Sequence, residues 1–170
     1  MEPPIKRLTQ ELLDKVTHEA RTRPRLRQNH DFHQPAEKVQ RFINALQPGT
    51  YVRPHRHRRT AGMNGFEFFL VLRGDLGMIL FDNEGQITHT ERISAHGPTT
   101  GIELAEGTCH TLVALVADTA LLELKEGPYN PVTDKEFLAN FPLEGTVEAQ
   151  ELVEVWRGYF AGTIPPRSGT

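Results

Sequence analysis

Tyr51-Val52-Arg53-Pro54-His55-Arg56-His57, followed by Glu67 and much later by His110, is the part of the sequence on which the reading of the fold turns. In an extended strand, residues two apart project from the same face roughly 6 to 7 Å apart, so His55 and His57 can converge on one ion. Glu67 opens the next apolar run. If that run pairs antiparallel with the first, its carboxylate comes to lie beside the histidine pair. His110 follows Glu106-Gly107-Thr108-Cys109 at the entrance to a further apolar run, a turn-to-strand position suited to pointing inward. Three imidazoles and one carboxylate form a mixed nitrogen and oxygen set that suits zinc, iron, manganese, nickel or copper and leaves positions free for water or substrate. The bland alternative is that the pair, flanked by Arg56, Arg58 and Arg59, belongs to a polar loop. Spacing alone leaves both readings open.

Outward from this stretch, the texture is one of short strands. Residues 39–46, 51–57, 66–72, 77–81, 87–93, 101–104, 111–116 and 120–125 each have a strand's length and are separated by glycine, proline and polar pairs. Asp82-Asn83-Glu84-Gly85 reads as a hairpin connection, with Gly85 able to take a positive φ. Before the strands, Leu12, Leu13, Val16 and Ala20 share one helical face, with Thr9 placed as the cap and Pro24 as the stop. After them, Leu152, Val153, Trp156, Tyr159 and Phe160 form a second helical stripe, capped by Thr146 and ended by Gly162. The stripe is expected to pack on the barrel or on a partner subunit, and the tail 164–170 is expected to be loose. Many short strands imply a barrel or a sandwich, and periodicity does not choose between them.

With 170 residues, 38% hydrophobic and 24% charged, the chain fits one soluble domain. The expected organisation is a single domain over 1–170: an N-terminal helix and arm in 1–35, a barrel in 36–130, and a C-terminal extension with a helix in 131–170. A net charge of −3 argues against a general nucleic-acid binder, which needs a basic surface to displace counterions. Cys109 is the sole cysteine, so an intrachain disulfide is excluded and a cytoplasmic location is expected. Residues 1–7 lack the apolar core of a signal peptide, and no apolar run approaches a membrane span. Cys109 itself, next to His110, should point to the opposite face as buried filler.

Gly49, His55, His57, Glu67 and Gly74 resemble the first cupin motif, in which a glycine precedes a His-x-His pair and a glutamate is followed, after six intervening residues, by a glycine. The nine residues between His57 and Glu67 exceed the commonest form of that motif. Gly107 and His110 resemble the centre of the second motif, although Ala105 stands where proline is usual and Ala114 where asparagine is usual. More narrowly, the chain resembles the WbuC family of cupin-fold metalloproteins, whose members occur with O-antigen and surface-polysaccharide gene clusters. That resemblance runs from about Thr9 to Glu144 and rests on Arg27-Gln28-Asn29 with His33, Val39-Gln40-Arg41, Asn44-Ala45-Leu46, the stretch 51–57, and Glu123 with Glu126-Gly127-Pro128-Tyr129. It implies an all-β cupin double-stranded β-helix, a jelly-roll barrel with an N-terminal and a C-terminal helix. It also implies one divalent metal on His55, His57, Glu67 and His110.

The expected ligand is a small molecule, an anionic sugar derivative received by Arg41, Arg53 or Arg58, since guanidinium groups bind carboxylate and phosphate in bidentate fashion. Arg41 is expected inside the barrel, and Asn29, His33, Glu123 and Tyr129 are further candidates for its wall or mouth. Three functions compete. One is a metal-dependent isomerase, epimerase, hydrolase or dioxygenase acting on a sugar or nucleotide-sugar. Another is a metallated binding or regulatory module without turnover, and the third is a metal-free sugar isomerase or epimerase with a histidine base. Neither a membrane nor a nucleic-acid partner is expected, and cupin analogy suggests a homodimer.

Overall fold

Thr9 opens the first element by accepting a hydrogen bond from the Leu12 backbone N–H at 3.1 Å, which satisfies one of the donors orphaned at a helix start. The computed structural model describes residues 4–59 and 62–162. Helix α1 spans Gln10–Thr22 and ends before Pro24, as its sequence requires. The strands are β1 (Arg27–Asp31), β2 (Val39–Leu46), β3 (His55–Arg56), β4 (Glu67–Arg73), β5 (Asp75–Phe81), β6 (Ile87–Ser94), β7 (Gly101–Leu104), β8 (Cys109–Ala114), β9 (Thr119–Glu126) and β10 (Glu136–Phe137), and helix α2 covers Val147–Gly158. The expected tail 164–170 lies outside the described residues, as do residues 60 and 61 of the loop that follows His57.

Every pairing is antiparallel. One sheet has the order β1-β2-β9-β4-β7 and the other β10-β3-β8-β5-β6. Alternation along the strands divides the side chains between an interior and two outer faces. Leu46, Phe69, Val71, Leu76, Met78, Leu112 and Leu121 meet inside with Val52, Ile93 and Leu104. On the outer face of the first sheet, Ile43, Ala45 and Ala120 are covered by Leu13, Val16 and Ala20 of α1. On the outer face of the second, Tyr51, Ile79, Phe81, Cys109 and Val113 are covered by Val153 and Trp156 of α2 with Phe160 just beyond it. Tyr51 stacks on Trp156 with ring centroids 5.8 Å apart. Gly77 makes the close approach of this segment, since a Cβ there would sit 2.5 Å from the Phe160 ring. Two closed antiparallel sheets with a helix packed outside each form a cupin jelly roll with N- and C-terminal helices.

The differences from the sequence reading are local. Only His55 and Arg56 of the stretch 51–57 join a ladder, and Pro54 within it has no N–H to donate. The ladders reach beyond 36–130 at both ends, because β1 pairs with β2 and β10 pairs with β3. The hairpin at Asp82 forms as expected: Gly85 has φ +83°, and the Asp82 Oδ1 accepts from the backbone N–H groups of Glu84 and Gln86 at 3.0 and 2.8 Å. Thr146 caps α2 at the Ala149 N–H, but the helix ends at Gly158, ahead of Gly162. Gly74, the motif glycine of the β4–β5 turn, has φ +77°, and a Cβ there would lie 2.6 Å from the Thr119 hydroxyl.

Candidate metal centre and adjoining cavity

The interior changes character along its length. Below lies the apolar cluster; above it the inward positions of the first sheet become polar in register. Asn29, Asn44, Leu121 and Val71 form one row, Asp31, Phe42, Glu123 and Phe69 the next, and Gln40, Lys125 and Glu67 the last. Across the barrel, His55 of β3 pairs with His110 of β8. His57 follows one residue after β3, anchored by its carbonyl accepting from the Gly107 N–H at 3.0 Å.

His55, His57, Glu67 and His110 are therefore brought together from both sheets, and all four are at least 95% buried. The His55 ring lies 5.0 Å from that of His57 and 4.7 Å from that of His110. The Nδ1 atoms of all three histidines face carbonyl oxygens: those of Arg53 at 2.9 Å, Asp134, and Thr108 at 3.0 Å, for His55, His57 and His110 respectively. A carbonyl only accepts, so each Nδ1 carries a proton, and in its neutral form each ring keeps its Nε2 lone pair. Glu67 presents Oε1 to His57 Nε2 at 3.1 Å and Oε2 to His110 Nε2 at 3.6 Å.

The chemistry of that contact is informative. His57 Nε2 and Glu67 Oε1 are both buried without a hydrogen-bond donor, so two lone-pair atoms face each other and need a proton or a cation between them. Ligand atoms bound to one ion at about 2.0–2.1 Å stand roughly 3 to 3.4 Å apart, close to the Glu67 contacts. Among the described residues no group of three or more His, Cys, Asp or Glu side chains stands in an arrangement that could hold a metal ion. The donor types and their outer hydrogen bonds are those that suit a divalent ion, because carbonyl-anchored imidazoles with free Nε2 atoms are how metal-binding histidines are oriented.

Burial pushes the His55 and His110 pKa values down, Lys135 adding to the effect on His55 and Glu67 opposing it on His110. For His57, burial also acts downward, but Asp134 and Glu67 outweigh it and raise its pKa. Burial opposes ionisation of Glu67 too, yet His110 and His57 carry its carboxyl down to about 2.

Behind His57 sits a hub that the sequence reading did not find. Asp134, 3% exposed, lies in the segment between β9 and β10. Its carboxylate accepts from Lys125 Nζ at 2.9 Å and Arg59 Nη2 at 3.2 Å, and approaches His57 Nδ1 at 3.3 Å. His57 and Lys125 hold its pKa well below the usual carboxylate range against the opposing effect of burial. Lys125 also stands 3.9 Å from Glu123 Oε1.

Next to the metal candidates lies a cavity of about 470 Å³, whose lining includes Asn29, His33, Arg53, Glu123 and Tyr129 from the expected ligand residues. Asn44, Lys125, Asp134, Lys135 and Phe137 also line it, whereas His55, His57, Glu67 and His110 do not. Glu123 is 6% exposed, and desolvation raises its pKa although Lys125 opposes the shift. Lys135 is an exposed residue overall, but its ammonium is desolvated against the cavity, which lowers its pKa with help from Lys125.

Two expected ligand arginines do not reach the cavity. Arg41 was expected inside; it sits instead on the outer face of β2 beside Glu37, at 2.5 Å, because the inward positions of that strand are Gln40, Phe42 and Asn44. Arg58 points to solvent and donates to Glu136 at 2.9 Å. Arg59 is the one that turns inward, with its side chain 8% exposed. Alternation from His55 and His57 would have selected it, since residue 59 falls on the same face. The same period marks Lys125 from Glu123, whereas nothing local marks Asp134. Cys109 faces the outer cluster as expected, and burial raises its thiol pKa.

Residues 8–93, just over half of the chain, match the family model described as "Domain of unknown function (DUF6016)". No curated protein matches the chain. Among solved structures, the chain is similar to the capsular polysaccharide assembling protein CapF from Staphylococcus aureus, with TM-score 0.53 and 19% identity over 69% of this chain and 33% of that one. It is also similar to salicylate 1,2-dioxygenase from Pseudoaminobacter salicylatoxidans, with TM-score 0.51 and 14% identity over 71% of this chain and 33% of that one. A cupin superfamily protein from Desulfitobacterium hafniense matches with TM-score 0.46 and 13% identity over 59% of this chain and 76% of that one. The chain thus spans a third of the length of each of the first two, and likenesses at these identities speak to the fold alone.

Proposed function

The chain belongs to the DUF6016 family, a domain of unknown function, and we propose that it is a divalent-metal cupin that takes a small anionic, sugar-derived ligand. The observation that carries this reading is the facing pair of orphaned acceptors, His57 Nε2 and Glu67 Oε1, within a set of three histidines whose Nδ1 atoms are all committed to carbonyls. His55, His57, Glu67 and His110 would hold the ion. When bound, it would supply Lewis-acid polarisation of a carbonyl or hydroxyl, or an activated water. The protein's own groups do the rest. Asp134 fixes the His57 ring, Lys125 and Arg59 fix Asp134, and Glu123 faces the cavity as a buried carboxyl able to exchange a proton with a ligand there.

The sugar assignment rests on the resemblance to the WbuC family and on the anion-receptive lining at Arg53 and Lys135. CapF, a third of which shares this fold, is described as a capsular polysaccharide assembling protein, which is compatible with that direction. A second reading, the metal-free barrel, is favoured by one observation: a proton shared between His57 and Glu67 at 3.1 Å also satisfies both atoms. Elemental analysis of protein purified without a metal-affinity tag separates the two. Stoichiometric metal that is lost in His55→Ala and in His110→Ala supports the metalloprotein; metal-free protein, even after reconstitution, transfers the proposal to the proton-sharing barrel.

A further inference from the structure

The cavity wall contains polar groups that the protein itself leaves unanswered, and they are of two opposite types. Asn44 is 9% exposed on the inward face of β2, lines the cavity, and its Oδ1 has no hydrogen-bond donor. Glu123, one row away on β9, is 6% exposed and has no hydrogen bond among the described residues, its closest charged neighbour being Lys125 at 3.9 Å. A buried acceptor without a donor is costly, so these two positions call for hydroxyl or amine hydrogens from a ligand. Two cationic residues of the same wall have the opposite need. Arg53 donates through Nη2 to the Leu138 carbonyl at 3.0 Å and lies over the Phe137 ring, but its Nε is buried without an acceptor. Neither Arg53 nor Lys135 has a carboxylate within ion-pair distance among the described residues, although both line the cavity.

We infer that the cavity is a binding site for a polyhydroxylated acid, whose hydroxyl groups donate to Asn44 and Glu123 while its carboxylate or phosphate is received by Arg53 and Lys135. The assignment rests on the proposed reading of the barrel as a metal-dependent binder of sugar-derived anions, and it commits that reading to a ligand with both a free acid and free hydroxyls. The volume of about 470 Å³ falls within the range of about 300–1,000 Å³ usual for small-molecule pockets. A neutral sugar answers only the acceptors. A simple inorganic anion answers only the cations.

Isothermal titration calorimetry with D-gluconate, D-glucose 6-phosphate, D-glucose and inorganic phosphate tests this on the full chain, with and without one equivalent of Mn²⁺. The expected result is that gluconate or glucose 6-phosphate binds at least tenfold more tightly than glucose and than inorganic phosphate, and which of the two acids wins identifies the anionic group. Asn44→Leu should weaken the preferred acid about tenfold, the effect of one lost hydrogen bond. Lys135→Met, at an exposed residue, should weaken it by a similar factor and leave glucose unchanged. Glucose binding as tightly as either acid, no binding of either acid, or unchanged affinity in both variants would overturn the inference. Metal uptake in the same samples separates the two levels: metal bound with no acid bound removes this inference alone, whereas no metal bound removes the metalloprotein reading beneath it.

Discussion

Replacing Asp134 by alanine is the perturbation with the most connected consequences. The carboxylate accepts from Lys125 at 2.9 Å and Arg59 at 3.2 Å, and it stands 3.3 Å from His57 Nδ1. Lys125 is 4% exposed, and after the substitution the carboxylate left within ion-pair distance among the described residues is Glu123 at 3.9 Å. Leaving one partner of a buried ion pair uncompensated costs about 3–5 kcal/mol. For a chain of this size each kcal/mol moves Tm by roughly 2–4 °C, so Asp134→Ala should lower Tm by roughly 6–20 °C. The His57 ring would also lose the carboxylate behind it, and groups of that kind change metal affinity by about 10–100-fold. Asp134→Asn keeps the shape and one acceptor and should lie between the two proteins in both respects. Differential scanning calorimetry and competitive metal titration on the same samples supply the two numbers. Wild-type Tm and wild-type metal affinity in Asp134→Ala would refute the hub.

Other expectations follow from single contacts. Tyr51 donates its hydroxyl to the Pro142 carbonyl at 2.9 Å, and burial raises its pKa from 10.0 to about 12. Its folded value exceeds its unfolded one, so its contribution is complete below about pH 10 and disappears as pH rises toward 12; Tyr51→Phe should flatten the alkaline limb of Tm against pH. Trp156, 2% exposed and packed on Tyr51, Phe81 and Phe141, anchors α2, and Trp156→Ala should cost about 3–5 kcal/mol in urea denaturation. Arg58→Ala should alter stability by no more than about 0.5 kcal/mol, because its pair with Glu136 is exposed. Arg59→Ala, which removes a buried partner of Asp134, should lower Tm clearly more in the same melting experiment.

The histidine spacing made the centre legible. His55 and His57 two apart, a carboxylate opening the next strand and His110 entering a later one all describe side chains on inward faces, and period two is the strongest signal a strand gives. The same rule, carried two residues further, points to Arg59 rather than Arg58, and applied to β2 it places Arg41 outside once Phe42 and Asn44 face in. Strand β1, Arg27–Asp31, was hidden for a physical reason. Its inward residues Asn29 and Asp31 line a polar cavity, so the strand lacks the apolar alternation that normally betrays one. Strand β10 is two residues long, too short for any pattern. Asp134 reaches His57 across 77 positions from a segment without regular structure, and its role appears only when both sheets are closed.

X-ray absorption spectroscopy of the metal-loaded protein probes the proposed ligand set most directly. His55, His57, Glu67 and His110 predict a first shell of nitrogen and oxygen at about 2.0–2.2 Å with the outer scattering of three imidazoles, and one imidazole fewer in His110→Ala. A shell containing sulfur, or one without imidazole scattering, would contradict it.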